Sequence, residues 1–345
     1  MKRDTMKLSD LETLLKSAKT AHELFGDDVD ETYRGFAMIC HPDRFATDTD
    51  EIKEHAKEVF QLLETRYNEL KKPPVVWASS EYGYHLGRQI GKGEISNIYL
   101  ASQISDKFVP KGTSRPMILK VAQAKEANEY IDKEAKILTD LRIQSGDRKY
   151  SDYLPKPVEI FVHDGLHVAV QHHYDRFFTL SEIMARHTNG LSGRHVAWMF
   201  KRILTIIGFA HTANYIHCAV FPMHIMFNAD NHGCKLISWA GCVRSEQKLT
   251  VVPMAYKPWY PKKEITKQYP ATPSLDIFLA AKSMLELVKL DKEKSMTPQP
   301  LLTFLESCVV ENPLQRPQDA WKLLDEWDTL LKKVYGPSKY VILDM

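Results

Sequence analysis

His217-Cys218-Ala219-Val220-Phe221-Pro222-Met223-His224 and, a little further on, Lys235-Leu236-Ile237-Ser238-Trp239-Ala240 decide how this chain is read. Both stretches are largely apolar, and neither holds a carboxylate. Between them Asn231-His232-Gly233 is a turn signal, so the region reads as a hairpin set into a longer helical stretch. Outward from it, the chain is mostly helical from Thr179 onward. Upstream, residues 85–90, 97–103 and 117–121 read as strands, 125–142 as a helix, and 158–162 and 167–172 as two more strands. Short strands with one inserted helix, followed by a larger helical region, define an α+β class.

The first quoted stretch resembles the catalytic loop H-R-D-L-x-x-x-N of protein kinases, and the second resembles the segment that carries their D-F-G. On that resemblance the catalytic-base Asp falls on Ala219, the Asn that holds a second Mg²⁺ on His224, and the metal-binding Asp on Ser238. Phosphoryl transfer rests on positioning and on charge neutralisation by the metal. The resemblance therefore implies a bilobal kinase fold without the catalytic acids, a pseudokinase with no catalytic residues. Further motifs follow in order. Gly91-Lys92-Gly93-Glu94-Ile95-Ser96 resembles the glycine-rich loop, with Ser96 for its third glycine. Lys120, at the end of Met117-Ile118-Leu119-Lys120, resembles the phosphate-binding lysine, and Glu134 stands where its ion-pair partner belongs. Val170 falls at the gatekeeper position, and Gln171 opens the hinge whose backbone would read adenine. Asp276 resembles the buried Asp that holds the catalytic-loop backbone. Glu264 and Arg316 resemble the pair that closes the activation segment, expected here as a bidentate structural contact. The resemblance covers about residues 83–332. It admits ATP without Mg²⁺ through Gly91, Gly93, Lys120, Glu134 and Gln171, but requires no cofactor; Lys120 and Glu134 would serve equally as a stabilising salt bridge.

The first seventy residues read differently. Leu8, Leu11, Leu14 and Leu15 recur at helical spacing behind Ser9-Asp10; 29–39 and 52–70 are further amphipathic runs, the last with Val59, Phe60, Leu63 and Tyr67 on one face. Lys71-Lys72-Pro73-Pro74 ends that run, since proline fits poorly inside a helix. His41-Pro42-Asp43 between two such helices, with Leu24-Phe25-Gly26 before and Tyr33-Arg34-Gly35-Phe36-Ala37 within the preceding one, resembles a J domain over residues 18–70. The resemblance implies an Hsp70-family chaperone as partner, with His41, Pro42 and Asp43 stimulating its ATPase and Arg34 on the docking helix. Residues 1–72 hold 16 acidic and 12 basic residues, a net of −4, so long-range attraction to an acidic partner would be weak. An alternative keeps the tripeptide as a turn in which Asp43 caps the next helix.

These readings give the organisation 1–72 J-like helical domain, 73–82 proline-containing linker, 83–173 and 174–335 the two kinase-like lobes, and 336–345 a tail. Composition adds exclusions. A formal charge of +2 on 345 residues gives no reason to expect nucleic acid or an anionic membrane as partner. Five cysteines without C-x-x-C spacing suit reduced thiols in the cytoplasm. The charged Met1-Lys2-Arg3-Asp4 start is unlike a signal peptide. His217, Cys218, His224, Ser238 and Cys242 are types that can ligate metal or lie beside it, but their spacing matches no common zinc framework, and no metal site is expected. The leading expectation is a co-chaperone adaptor whose kinase-like part binds an unidentified client protein or kinase. An ATP-dependent transferase using Lys120 and Glu134, and a purely structural interaction protein, are the alternatives.

Overall fold

The computed structural model describes residues 6–18, 21–26, 28–71, 75–105, 114–146, 150–265, 269–289 and 297–345. The readings of Met1-Lys2-Arg3-Asp4 and of Lys72-Pro73-Pro74 as a helix stop lie outside the described residues. The chain is a mixture of helix and sheet, and its contacts divide it into two units, 1–92 with 97–119 and 93–96 with 120–345.

The first unit begins with α1 (Leu8–Ser17), α2 (Ala21–Phe25), α3 (Val29–Cys40) and α4 (Asp50–Lys71). The start of α1 is set by Lys7, not by Ser9-Asp10: Asp10 sits in the first turn and its carboxylate accepts the Lys7 N–H at 3.1 Å. Asp28 caps α3 by accepting from the Glu31 N–H. Leu11, Leu15, Phe25, Phe36, Val59 and Leu63 form one buried core, as their helical spacing requires. Tyr33 stacks on Tyr67 at 3.9 Å, and His41 meets Phe60 edge-on at 5.2 Å, so α3 and α4 run antiparallel. Buried Arg66 closes the far end of α1 by donating to the carbonyls of Leu15 and Ala18.

The same unit holds β1 (Val75–Ala78), β2 (Gly83–Lys92) and β3 (Ser96–Ser105), neighbours in that order, followed by the first part of β4 (Arg115–Ala122). β1 lies inside the span read as a linker, where Val75-Val76-Trp77 favours an extended chain and pairs with β2 from Val75↔Leu86 to Ala78↔Gly83. The β2–β3 ladder is antiparallel and bulged after Leu86. Gly87 sits at that bulge because a Cβ there would come within 2.9 Å of the Leu100 carbonyl oxygen.

The second unit carries the rest of β4, then α5 (Asn128–Gln144) and the antiparallel pair β5 (Pro157–His163) and β6 (Leu166–His172), with β6 beside β4. β7 (Phe177–Thr179) leads into α6 (Leu180–Arg186) and α7 (Gly193–Thr212). β8 (Tyr215–Ile216), the hairpin β9 (Ile225–Asn228) and β10 (Cys234–Leu236), and β11 (Val243–Arg244) precede α8 (Lys262–Ile265), α9 (Pro273–Lys289), α10 (Gln299–Cys308) and α11 (Ala320–Tyr335). α7 and α9 are buried along most of their length and organise the core, with Phe200, Ile203, Ile207, Leu275 and Leu279 inaccessible or nearly so. All five cysteines are unpaired and buried. Among the described residues no helix is long and apolar enough to cross a membrane.

Residues 336–345 are not a loose tail. Leu343 is 2% exposed and joins the core of the second unit, and Met345 packs against it.

Candidate functional site

The two decisive stretches meet in the second unit. Residues 217–221 form a loop between β8 and β9 in which nearly every backbone group is held. Asp276, wholly buried in the first turn of α9, accepts the N–H groups of His217 at 2.7 Å and Cys218 at 2.8 Å, and a third bond from His211 Nε2 at 3.0 Å. The loop carbonyls are held as well. Tyr260 donates its hydroxyl to Cys218 O at 2.8 Å, His224 Nδ1 donates to Ala219 O at 2.9 Å, and Ser283, also on α9, donates to Val220 O at 3.1 Å. Asp276 thus binds two of the loop's N–H groups directly, and Tyr260 and Ser283, which the sequence did not single out, hold two of its carbonyls.

His217 is inaccessible to solvent. Its Nε2–H donates to Ile237 O at 3.1 Å, and its Nδ1 accepts from the Ala219 N–H at 3.2 Å. Both ring nitrogens are thus satisfied in the neutral form, and a second proton would face an N–H donor. Burial pushes this imidazole down to about 4, although Asp276 pulls the other way. His224 is pushed down to about 4 as well, chiefly by burial, and the charge of Lys120 bears on both rings. His224 keeps some accessible surface, so its loss of hydration is the smaller of the two.

The second stretch is tied to the first through its backbone. The Ile237 N–H donates to His224 O at 2.9 Å, and Trp239 packs edge-on against His217 at 4.5 Å. Ser238, half-buried, takes φ = 70°, and Cys218 takes φ = 65°. Positive φ is sparse for residues with side chains, so each quoted stretch contains one strained residue, and strain of this kind concentrates at functional sites.

Lys120, on β4, makes a buried ion pair with Glu134 on α5. Lys120, Glu134, His217 and His224 therefore converge, Ala219 joins them through its bonds to the His217 and His224 rings, and Ser238 follows Ile237, whose carbonyl accepts from His217. Gly93 belongs to this unit: its N–H donates to Ser96 O at 2.9 Å, and its carbonyl accepts from the Gln123 side chain. Beside it Glu94 accepts the Met254 N–H at 2.7 Å, a contact with no sequence signal. Gln171 closes β6 opposite Pro157, beside fully buried Val170, and no described bond links it to Lys120. Gly91 lies in β2 of the first unit, paired with Ile98.

Arg316 and Glu264 do pair, at 2.5 Å, but through one oxygen only. This corrects the bidentate expectation. Arg316 spends its other donors on Val310 O at 2.5 Å and Glu311 O at 2.8 Å, and Glu264 Oε2 is left without a partner among the described residues. The guanidinium also lies over Phe278 at 4.7 Å.

In the first unit His41, Pro42 and Asp43 occupy the α3–α4 connection, where residues Pro42–Phe45 form a single 3₁₀ turn. His41 is the capping residue, its Nδ1 accepting the Asp43 N–H at 3.3 Å. Asp43 does not cap the next helix; its side chain is 90% exposed and 3.5 Å from His41 Nδ1. Arg34 is exposed on α3, one turn from Met38, which is 68% exposed. Arg44, which the sequence did not single out, donates to Met38 O and fixes the turn onto the end of α3.

Chemically, the second-unit cluster offers a lysine, a rigid loop and neutral imidazoles, and the carboxylates of Glu134 and Asp276 are engaged by Lys120 and by the loop's N–H groups. Ala219, His224 and Ser238 do not fit Mg²⁺, which takes oxygen ligands and carboxylates above all. Among the described residues no cluster of three or more His, Cys, Asp or Glu is arranged to hold a metal. No protein-family model and no curated protein matches the chain.

Proposed function

We propose that the chain is a J-domain co-chaperone adaptor, in which the first four helices recruit and stimulate an Hsp70-family chaperone and a kinase-like body without catalytic acids holds a client or partner. The observation that carries the reading is the presentation of His41-Pro42-Asp43. The tripeptide stands on the connection of an antiparallel helix pair, with the Asp43 carboxylate exposed and not used as a cap. An exposed carboxylate on this turn can be met by a partner's cationic or N–H donor. Arg34, Met38 and Arg44 add two cations and an apolar side chain near it.

The kinase-like part of the proposal is supported by Asp276 binding two loop N–H groups, by the Lys120–Glu134 pair and by the Glu264–Arg316 pair. On this reading they are scaffold interactions, and Ala219 and Ser238 stand where a kinase would carry its acids. Such a body suits binding, not phosphoryl transfer. The experiment is single-turnover ATP hydrolysis by Hsp70, with the intact protein and with His41→Gln.

The intact Lys120–Glu134 pair favours a second reading, nucleotide binding without Mg²⁺ or an ATP-dependent transferase. It predicts nucleotide-dependent thermal stabilisation that Lys120→Ala removes.

A further inference from the structure

Gly336 ends α11 with φ = +71° in open space, a conformation that favours glycine, and sends residues 337–345 back across the second unit without helix or strand. Tyr340 lies on His232 at 4.3 Å, and His232 lies flat on Trp198 at 3.9 Å, giving a three-ring stack with tyrosine outermost. The Tyr340 hydroxyl donates to Asp230 O at 2.5 Å. Two imidazoles then read the strap's backbone: His232 Nε2 donates to Val341 O at 2.6 Å and His187 Nε2 to Asp344 O at 2.7 Å. Ile342 points out, 77% exposed, while Leu343 is buried. Main-chain bonds combined with selected side-chain positions are how a groove reads an extended peptide.

The platform is built without the strap. Arg202 Nε donates to His232 O at 3.1 Å, Gly233 N donates to the Asn231 side chain at 2.8 Å, Trp198 Nε1 donates to His195 Nδ1 at 3.3 Å, and Trp198 meets Phe227 edge-on at 5.1 Å. Against this fixed surface the described strap contacts amount to one buried leucine, one ring stack, three hydrogen bonds and packing by Met345, set against the entropy of ordering the segment.

We propose that this groove, between α6, α7 and the β9–β10 turn, is a peptide-recognition site that residues 340–345 occupy in cis. Its partner is an extended segment of another protein carrying an aromatic residue and, three positions on, a leucine. The strap is then a tethered competitor that must leave before the partner binds. This is independent of the chaperone reading.

The test replaces residues 336–339 of the full chain with a site-specific protease sequence and follows a fluorescent Tyr-Val-Ile-Leu-Asp-Met peptide by anisotropy. After cleavage the hexapeptide should dissociate, the body should keep its circular dichroism and melting transition, and the labelled peptide should bind at least tenfold more tightly than to uncut protein. Exchanging the peptide's Tyr or Leu for Ala should weaken binding at least tenfold. Uncut Leu343→Asp should bind the wild-type peptide as the cleaved protein does. A cleaved body that unfolds, or one that stays folded but ignores the peptide, would overturn the proposal. Concentration-dependent dimers of the uncut wild type that Leu343→Asp abolishes would overturn the assignment of the partner, making a second copy the occupant.

Discussion

Asp276 binds the backbone of Cys218 at 2.8 Å across 58 residues of sequence, and with His217 N–H and His211 it satisfies three donors from one inaccessible carboxylate. Removing its charge leaves the loop's N–H groups facing a weaker acceptor, and an amide rotamer that presents NH₂ to a donor leaves that donor unmet. Asp276→Asn is expected to cost about 3 kcal/mol in urea unfolding of the full chain. A loss below ~1 kcal/mol would mean that the loop is held by Tyr260 and Ser283 instead.

The Lys120–Glu134 pair makes a different prediction. Glu134→Ala strands a buried ammonium and should destabilise by roughly 3–5 kcal/mol, whereas Lys120→Met combined with Glu134→Leu should recover more than half of that loss. Chemical denaturation of Glu134→Ala and of the double variant, each beside the wild type, is sufficient. If the double variant is no more stable than Glu134→Ala, the pair's role is not the packing and charge compensation assigned to it.

Acid stability follows from His217. Its imidazole is held at about 4 in the fold, below the ordinary 6.5, because burial disfavours the charged form. The folded state therefore binds fewer protons than the unfolded chain below pH 6.5. The associated stability is fully present above that pH and is lost as pH falls from 6.5 toward 4, by about 3 kcal/mol. His224 adds to the loss in the same window. Thermal melts between pH 7 and 4 should show this decline, and His217→Gln should flatten it while lowering stability at pH 7. An unchanged slope in His217→Gln would assign the decline to other groups.

Much of this was legible because it rests on residue type at fixed intervals. Lys120, Glu134 and Asp276 were singled out because the motifs around them resemble those of kinases, a resemblance that rests on residue type in a fixed order along the chain. The α1 start slipped by two residues because Asp10 serves in the first turn rather than before it. Strand β1 hid behind Pro73 and Pro74, whose signal dominates a four-residue run. The strap left no trace at all. Its partners His187, Trp198 and His232 lie more than a hundred residues from Tyr340 and Val341, and their pairing depends on stacking geometry, not on periodicity. The single-oxygen Glu264–Arg316 contact was hidden for a similar reason: Val310 and Glu311 carbonyls compete for the guanidinium only once the fold is made.

The most direct measurement is single-turnover ATP hydrolysis by an Hsp70 from the source organism, with the wild-type chain, His41→Gln and Asp43→Asn. His41 and Asp43 are exposed, and His41 contributes one 3.3 Å bond and an edge contact to Phe60, so both variants should keep native helicity and lose less than ~1 kcal/mol. The co-chaperone account predicts that the wild type raises the hydrolysis rate at least fivefold and that each folded variant abolishes the increase. No increase with the wild type, or an equal increase with folded His41→Gln, would contradict it and leave the tripeptide as a turn.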